Sequence, residues 1–322
     1  MPSLKEIKNR IASVNSTRKI TSAMKMVASS KLHHAQVMIE NMLPFENMLE
    51  HILKSFLAAE VDAETVYSEE RPEVKRVAIV VFASNGSLCG GFNANIIRLL
   101  TETLDEYKHL GKENIVVYPI GRKVAEKVAK MGYKPAGNFT ELADKPNAAD
   151  CIDIAKKLTL MYAAGEIDKV ELIYHHFKSV GSQILTRKTF LPIDVKTIEL
   201  ENDRDLKSNN LMSAKAQEYL RKHGSKKNKK EEDVKPLNDN FIVEPDMETV
   251  LGSLIPGLLH LMMYTALLDS NASEHAARMV AMQTATDNAD ELLRELNLAY
   301  NKSRQQAITN ELLDIMGGSV NN

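Results

Sequence analysis

Tryptophan is missing from the 322 residues, and aromatic side chains make up only 5% of them. Methionine, by contrast, occurs 15 times. A long, thin helical structure explains both facts, because it has little globular core to fill with rings and uses adaptable side chains along irregular surfaces. Cysteine is almost absent as well. Cys89 and Cys151 lie far apart, form no CxxC pair, and exclude a disulfide framework, which suits a reducing cytosol. Charge of one sign is not in excess: the formal net charge is −2, so global charge selects no partner. No apolar run reaches the ~18 residues needed to cross a bilayer. The most apolar stretch, Leu251 to Leu268, is interrupted by Gly252, Ser253, Pro256, Gly257, His260 and Thr265. Glycine does not occur before Gly86.

What is present falls into blocks by periodicity. In residues 1–60, Leu4, Ile7, Ile11 and Val14 recur at spacings of three and four, and Ile20, Met24 and Val27 extend the stripe. A narrow apolar seam of this kind marks a coiled-coil helix. Ser3 with Glu6 three residues on reads as a capping box. Pro44 predicts a kink or brief break. At ~1.5 Å per residue such a helix would reach roughly 80 Å. Residues 1–36 hold seven Lys or Arg and one acid, Glu6, as a targeting segment does, but the apolar pattern continues past the usual cleavage zone and reads as part of the fold.

Residues 74–200 alternate strand and helix signals. KRVAIVVFA, NIVVYPI and VELIYHHF read as strands, QILTRKTFLPI as an extended segment, and Phe92–Leu110, Arg122–Met131 and Ala148–Ala164 as helices. Alternation argues an α/β layer with a mainly parallel sheet. Residues 201–240 contain RKHGSKKNKKEEDVKP, a charge run that reads as a solvated insertion. Residues 245–316 form a second long helix, on the order of 100 Å if unbroken. Its stripe includes Leu254, Leu258, Leu261, Leu268, Met279 and Met282, then Leu293, Leu296, Tyr300, Ile308, Leu312 and Ile315, and Gly317 and Gly318 end it. The expected fold class is α/β plus a long antiparallel α-helical coiled coil, with the N- and C-terminal helices paired around a central Rossmann-like domain.

Chemistry is hard to place. The loop SNGSLCGGFNANI follows the first strand, where open α/β sheets often bind ligands. Its glycine spacing fits neither GxxxxGK[ST] nor GxGxxG, so it reads as a tight turn packing strand against helix. Cys89 has no identifiable partner His and reads as an inert buried thiol. His175 and His176 are adjacent on a strand and face opposite sides, and His33 and His34 diverge by about 100° on a helix, so neither pair shares a metal easily. No His, Cys, Asp or Glu set has metal-ligand spacing. The seven N-terminal cations spread around their helix without aromatics to stack on bases, which points to an acidic protein surface rather than nucleic acid. On these grounds alone a coiled-coil scaffold with an α/β domain stands first, beside a nucleotide-binding α/β enzyme with helical arms.

Three separate segments make the reading specific. LKEIKNRIASVNSTRKITSAMKMVASSKL closely resembles the start of the gamma subunit of F-type ATP synthases. AARMVAMQTATDNADELLRELNLAYNKSRQQAITNELLDIMGG resembles that family's ending, and SLCGGFNANI its central-domain signature. The resemblance implies a non-catalytic rotor with no bound cofactor, turning inside a ring of three alpha and three beta subunits and driven by proton flow through a membrane c-ring. It implies contacts with alpha and beta at Met24, Arg278, Arg304, Gln305, Thr309 and Glu311, and a foot on the c-ring and epsilon subunit at Phe241 and Glu244. The local foot motif FIVEPD has less tyrosine than is usual there. The 201–240 insertion lacks the cysteine pair of chloroplast relatives, so thiol switching is not expected, and its position suggests contact with epsilon or the c-ring. The lack of a separate transit segment suggests a bacterial protein, peripheral to the cytoplasmic side of the inner membrane.

Overall fold

The computed structural model describes residues 3–57, 66–67, 71, 73–193, 244 and 247–319. The insertion 201–240 and Phe241 lie outside them. The chain divides into two compact units, one of Met1–Ser30 with Arg278–Asn322 and one of Lys31–Ala277. Two helices run through both: α1, Leu4–Leu57, and the last helix, Met247–Ser319. Helix α1 begins as the Ser-x-x-Glu spacing predicts. The Ser3 amide donates to Glu6 Oε2 at 2.8 Å and the Glu6 amide to Ser3 Oγ at 3.3 Å, satisfying two amides that the first turn leaves unpaired. Helix is continuous through Pro44 and Pro256, so neither proline breaks its element. The C-terminal helix also continues past Gly317 and Gly318 to Ser319, because two glycines without a left-handed turn do not by themselves end a helix.

The larger unit holds a four-stranded mixed sheet. Strands β1 (Val77–Phe82), β2 (Ile115–Ile120), β3 (Lys169–Ser179) and β4 (Ser182–Leu191) lie in the order β2-β1-β3-β4. β1 is parallel to β2 and to β3, and β4 returns antiparallel to β3 through a tight hairpin. All six residues of β1 are buried, as an unbroken VAIVVF run in a central parallel strand requires. Alternate residues feed two cores. Val77, Ile79 and Val81 pack with helices α2 (Phe92–Glu106) and α3 (Arg122–Lys130). Ala78, Val80 and Phe82 pack with α5 (Ala148–Ala163) and with Ile255, Leu258, Leu259 and Met263 of the C-terminal helix, here α6. A single short helix, α4 (Thr140–Asp144), precedes α5 and was not apparent from periodicity. Asn147 caps α5, accepting from the Ala149 amide at 3.0 Å.

A polar belt joins α6 to this sheet. His176 Nδ1 and Asp269 lie 2.7 Å apart, both buried, Asn271 donates to the Ala143 carbonyl at 2.9 Å, and Ser273 to the His175 carbonyl at 3.1 Å. His175 and His176 are therefore interior structural residues on opposite faces of β3. Among the described residues no helix is long and apolar enough to cross a membrane.

Candidate functional surface

β1 has β2 on one side and β3 on the other, with the intervening helices on opposite sheet faces, so its C-terminal end is the crevice where open α/β sheets take ligands. Here the crevice is occupied by the chain's own groups. Asn93 accepts from the Ser84 amide at 3.1 Å and donates to Ser84 Oγ at 2.7 Å, to the Gly86 carbonyl at 3.1 Å and to Cys89 Sγ at 3.2 Å. The first turn of α3 is capped by Asn85, whose Oδ1 accepts from the Arg122 amide at 2.7 Å, while the Arg122 guanidinium donates to the Asn85 carbonyl at 2.8 Å. Asn85 Nδ2 is spent on the Thr140 carbonyl at 2.7 Å. The Asn85 and Asn93 side chains are thus spent on the chain's own groups, and the loop is a turn clamping strand to helix. Gly121 makes that clamp possible. Its φ is +104°, and a Cβ there would stand 2.1 Å from the Ala83 carbonyl oxygen.

The cysteines are equally unavailable. Both are buried, and burial with the nearby Asp150 carboxylate pushes the Cys151 thiol up to about 12. Among the described residues no group of His, Cys, Asp or Glu could hold a metal ion. A charge cluster on the sheet is structural. Buried Glu171 meets Lys169 at 2.9 Å, Arg187 at 2.7 Å and the Tyr107 hydroxyl at 2.7 Å. Burial raises its pKa, but those three partners outweigh burial and hold the carboxyl below its ordinary value.

In the smaller unit α1 and α6 meet along a seam. The α1 positions with reduced exposure include Leu4, Ile7, Ile11, Val14, Arg18, Thr21, Lys25 and Ala28, which alternate by three and four, with Asn15, Ser22 and Ser29 flanking them. On α6, Met279, Met282, Thr286, Ala289, Leu293, Leu296 and Tyr300 follow the same rule. Arg18 pairs with Asp290 at 3.0 Å, and the hydroxyls of Thr21 and Thr286 lie 2.9 Å apart. Ile20, Met24 and Val27, which periodicity assigned to the seam, are instead 60%, 36% and 58% exposed. The correction has a physical cause. Continuing the 3.5-residue repeat from Ile7, Ile11 and Val14 lands on Arg18, Thr21, Lys25 and Ala28, and following the apolar residues would require a jump of frame. The polar layer was missed because only hydrophobic residues were followed; the strict repeat itself marks it.

A second correction concerns the end of α6. Ile308, Leu312 and Ile315 continue no buried stripe: they are 49%, 56% and 69% exposed, and neighbouring Leu313 and Met316 are exposed too. Arg304, Gln305, Thr309 and Glu311 lie exposed on the same turns, and Thr309 Oγ1 turns back to the Gln305 carbonyl at 2.9 Å. Arg278 is partly buried and in contact with its surroundings. Glu244 is exposed, and Phe241 falls outside the described residues. The structure thus gathers Arg304, Gln305, Thr309 and Glu311 on one helical segment and leaves Met24 on the outward side of α1. A tip with five large apolar side chains open to water is unusual for a surface that has no partner.

Comparison with known proteins gives this surface a context. A family profile described as ATP synthase matches residues 3–320. The chain is 56% identical to the ATP synthase gamma chain of Phocaeicola vulgatus over 320 residues, covering 99% of this chain and 100% of that one. It is 52% identical to the Bacteroides thetaiotaomicron ATP synthase gamma chain, again over 99% and 100% of the two chains. Among solved structures, a chain of the Euglena gracilis mitochondrial ATP synthase OSCP/F1/c-ring assembly matches with a TM-score of 0.57, at 16% identity, over 98% of this chain and 93% of that one. A chain of the central stalk/c-ring structure of the Tetrahymena thermophila enzyme matches with a TM-score of 0.51, at 24% identity, over 83% and 99%. These two likenesses concern the fold.

Proposed function

The chain belongs to the ATP synthase gamma-chain family, and from that premise we propose in detail how it serves as the central rotor of an F-type ATP synthase. It is not itself the catalyst. It turns within the ring of alpha and beta subunits, and its asymmetry carries c-ring rotation to the catalytic sites. The observation that carries this reading is the uncovered tip from Arg304 to Met316, whose apolar side chains have no cover among the described residues. A rotor tip needs a surface that a surrounding sleeve can cover without gripping. Ile, Leu and Met offer dispersion contact without directional bonds, and Arg304, Gln305, Thr309 and Glu311 add exposed, screened polar contacts that exchange readily.

The finer arrangement is part of the proposal. Residues 1–60 and 245–316 form an antiparallel coiled coil; rising numbers on α1 meeting falling numbers on α6, at Arg18–Asp290 and Thr21–Thr286, support it. Residues 74–200 form a Rossmann-like domain whose ligand crevice has been closed by its own asparagines, and 201–240 is an insertion between the two. Met24 and Arg278 serve the beta-facing side of the shaft, and Phe241 and Glu244 the foot against epsilon and the c-ring. The complex is placed at the cytoplasmic side of a bacterial inner membrane.

The test is assembly with the alpha and beta subunits of a relative. A complex with one copy of this chain and three of each partner, with ATP hydrolysis above that of alpha and beta alone, is the expected result. Failure to assemble, with the same partners competent toward another gamma chain, overturns the reading and returns the chain to a scaffold.

A further inference from the structure

Helix α1 carries two competing seams. In one frame lie Ile7, Ile11 and Val14, then Arg18, Thr21 and Lys25, then Ala28. In the other, about 100° round the helix, the N-terminal half is polar (Glu6, Arg10, Ser13, Thr17) but the next turns carry Ile20, Met24 and Val27. Burial of apolar area alone would keep the first frame up to Val14 and then shift to the second. The structure does not shift. Thr21 and Ala28 are 9% and 1% exposed, while Ile20 and Val27 are 60% and 58% exposed.

What holds the first frame is visible in the polar layer. The Arg18 guanidinium donates to Asp290 at 3.0 Å. Thr21 Oγ1 lies 2.9 Å from Thr286 Oγ1, 3.0 Å from the Arg18 carbonyl, and Thr286 Oγ1 lies 2.8 Å from the Met282 carbonyl. Each hydroxyl has one hydrogen, and both proton arrangements keep the cross-seam bond. Thr21 donates to Thr286 while Thr286 donates to Met282, or Thr286 donates to Thr21 while Thr21 donates to Arg18. Turning α1 into the second frame would break the bond and leave Thr286 facing apolar side chains. A single polar position fixing register in a coiled-coil seam acts by the same physics.

We infer that Arg18, Thr21, Thr286 and Asp290 are positioning residues that lock the rotational frame of α1, so that Ile20, Met24 and Val27 stay outside as an apolar stripe for the subunits encircling the shaft. The identity of that partner rests on the rotor reading; the frame lock does not. The layer gives up apolar burial in the seam in exchange for one outward face.

Cross-linking in the isolated full-length chain tests the lock, and the buried native cysteines do not interfere. Cysteines at Ala28 and Met279 sit in the observed frame, and cysteines at Val27 and Met279 report the alternative. In the parent the 28–279 pair should oxidise and the 27–279 pair should not. Arg18→Ala with Thr21→Ala should raise the 27–279 yield relative to 28–279 by about tenfold, the factor expected for losing one partly buried hydrogen bond and one half-exposed ion pair. Arg18→Asp alone should do the same through like charge, and adding Asp290→Arg should restore the parent ratio, which a merely space-filling role for the pair would not produce. An unchanged ratio in both variants overturns the lock whether or not the chain is a rotor. If the ratio shifts but the variant still couples normally in the assembled complex, the stripe has no partner and that half of the inference fails.

Discussion

His175 offers a quantitative test of the interior. It lies on β3 at 3% exposure, its ring stacks on Phe92 with centroids 4.5 Å apart, and its Nδ1 has no hydrogen-bond partner. Burial lowers its pKa from 6.5 to about 4. The folded chain therefore holds the neutral ring. Stability is complete above pH 6.5 and declines as pH falls, because the unfolded chain takes up a proton that the folded chain refuses until about pH 4. The gap corresponds to about 3 kcal/mol. His175→Phe keeps the stack and removes the orphan nitrogen, while Ser273 keeps its acceptor, which is the backbone carbonyl. At pH 7 the variant should equal or exceed the parent in stability. Between pH 7 and pH 4.5 its advantage should widen by about 2–3 kcal/mol, read from urea midpoints at matched m-values. Glu171, whose pKa the fold also shifts, titrates equally in both proteins and cancels. Parallel stability curves for the two proteins would refute the reasoning.

Three further outcomes follow from other parts of the fold. Gly121→Ala should destabilise by about 3 kcal/mol or more, through positive φ and collision with the Ala83 carbonyl; Gly111→Ala, at φ +83° and ψ +148° in open space, should cost about 2 kcal/mol from backbone strain alone in the same urea titration. Glu171→Gln should cost about 2 kcal/mol by removing the charge that Lys169 and Arg187 share, leaving them the Tyr107 hydroxyl at 3.2 Å and Glu106 at 2.7 Å. Because the folded-state pKa of Glu171 is lowered, its contribution is full above the ordinary carboxylate value and is lost as pH falls through the folded one, so the penalty of the variant should shrink in acid. Ser3→Ala removes one half of the capping box and should cost about 1 kcal/mol, seen as faster amide exchange confined to the first turns of α1.

Much of this was legible because short-range rules were sufficient. Ser3 and Glu6 bond as their spacing requires, and VAIVVF is a buried central strand because no polar residue interrupts it. On α6 the seam was legible at Met279, Met282, Leu293, Leu296 and Tyr300, but on α1 only at Ile7, Ile11 and Val14. Ile20, Met24 and Val27 were misplaced because hydrophobic periodicity shows that a face seeks cover but not whether the cover lies in the same chain. The tip at Ile308, Leu312 and Ile315 misled for the same reason. His176–Asp269 spans 93 residues, and no local pattern joins strand to helix over that distance. The closure of the glycine-loop crevice depended on where Asn85 and Asn93 point, which spacing does not encode.

The most direct test of the rotor account is to watch the chain turn. With alpha and beta subunits fixed to a surface and a bead attached through an engineered thiol in the 74–193 domain, ATP should drive stepwise rotation in one direction. Arg304→Ala with Gln305→Ala should lower the torque without stopping assembly. A complex that hydrolyses ATP while the bead only fluctuates would contradict the account.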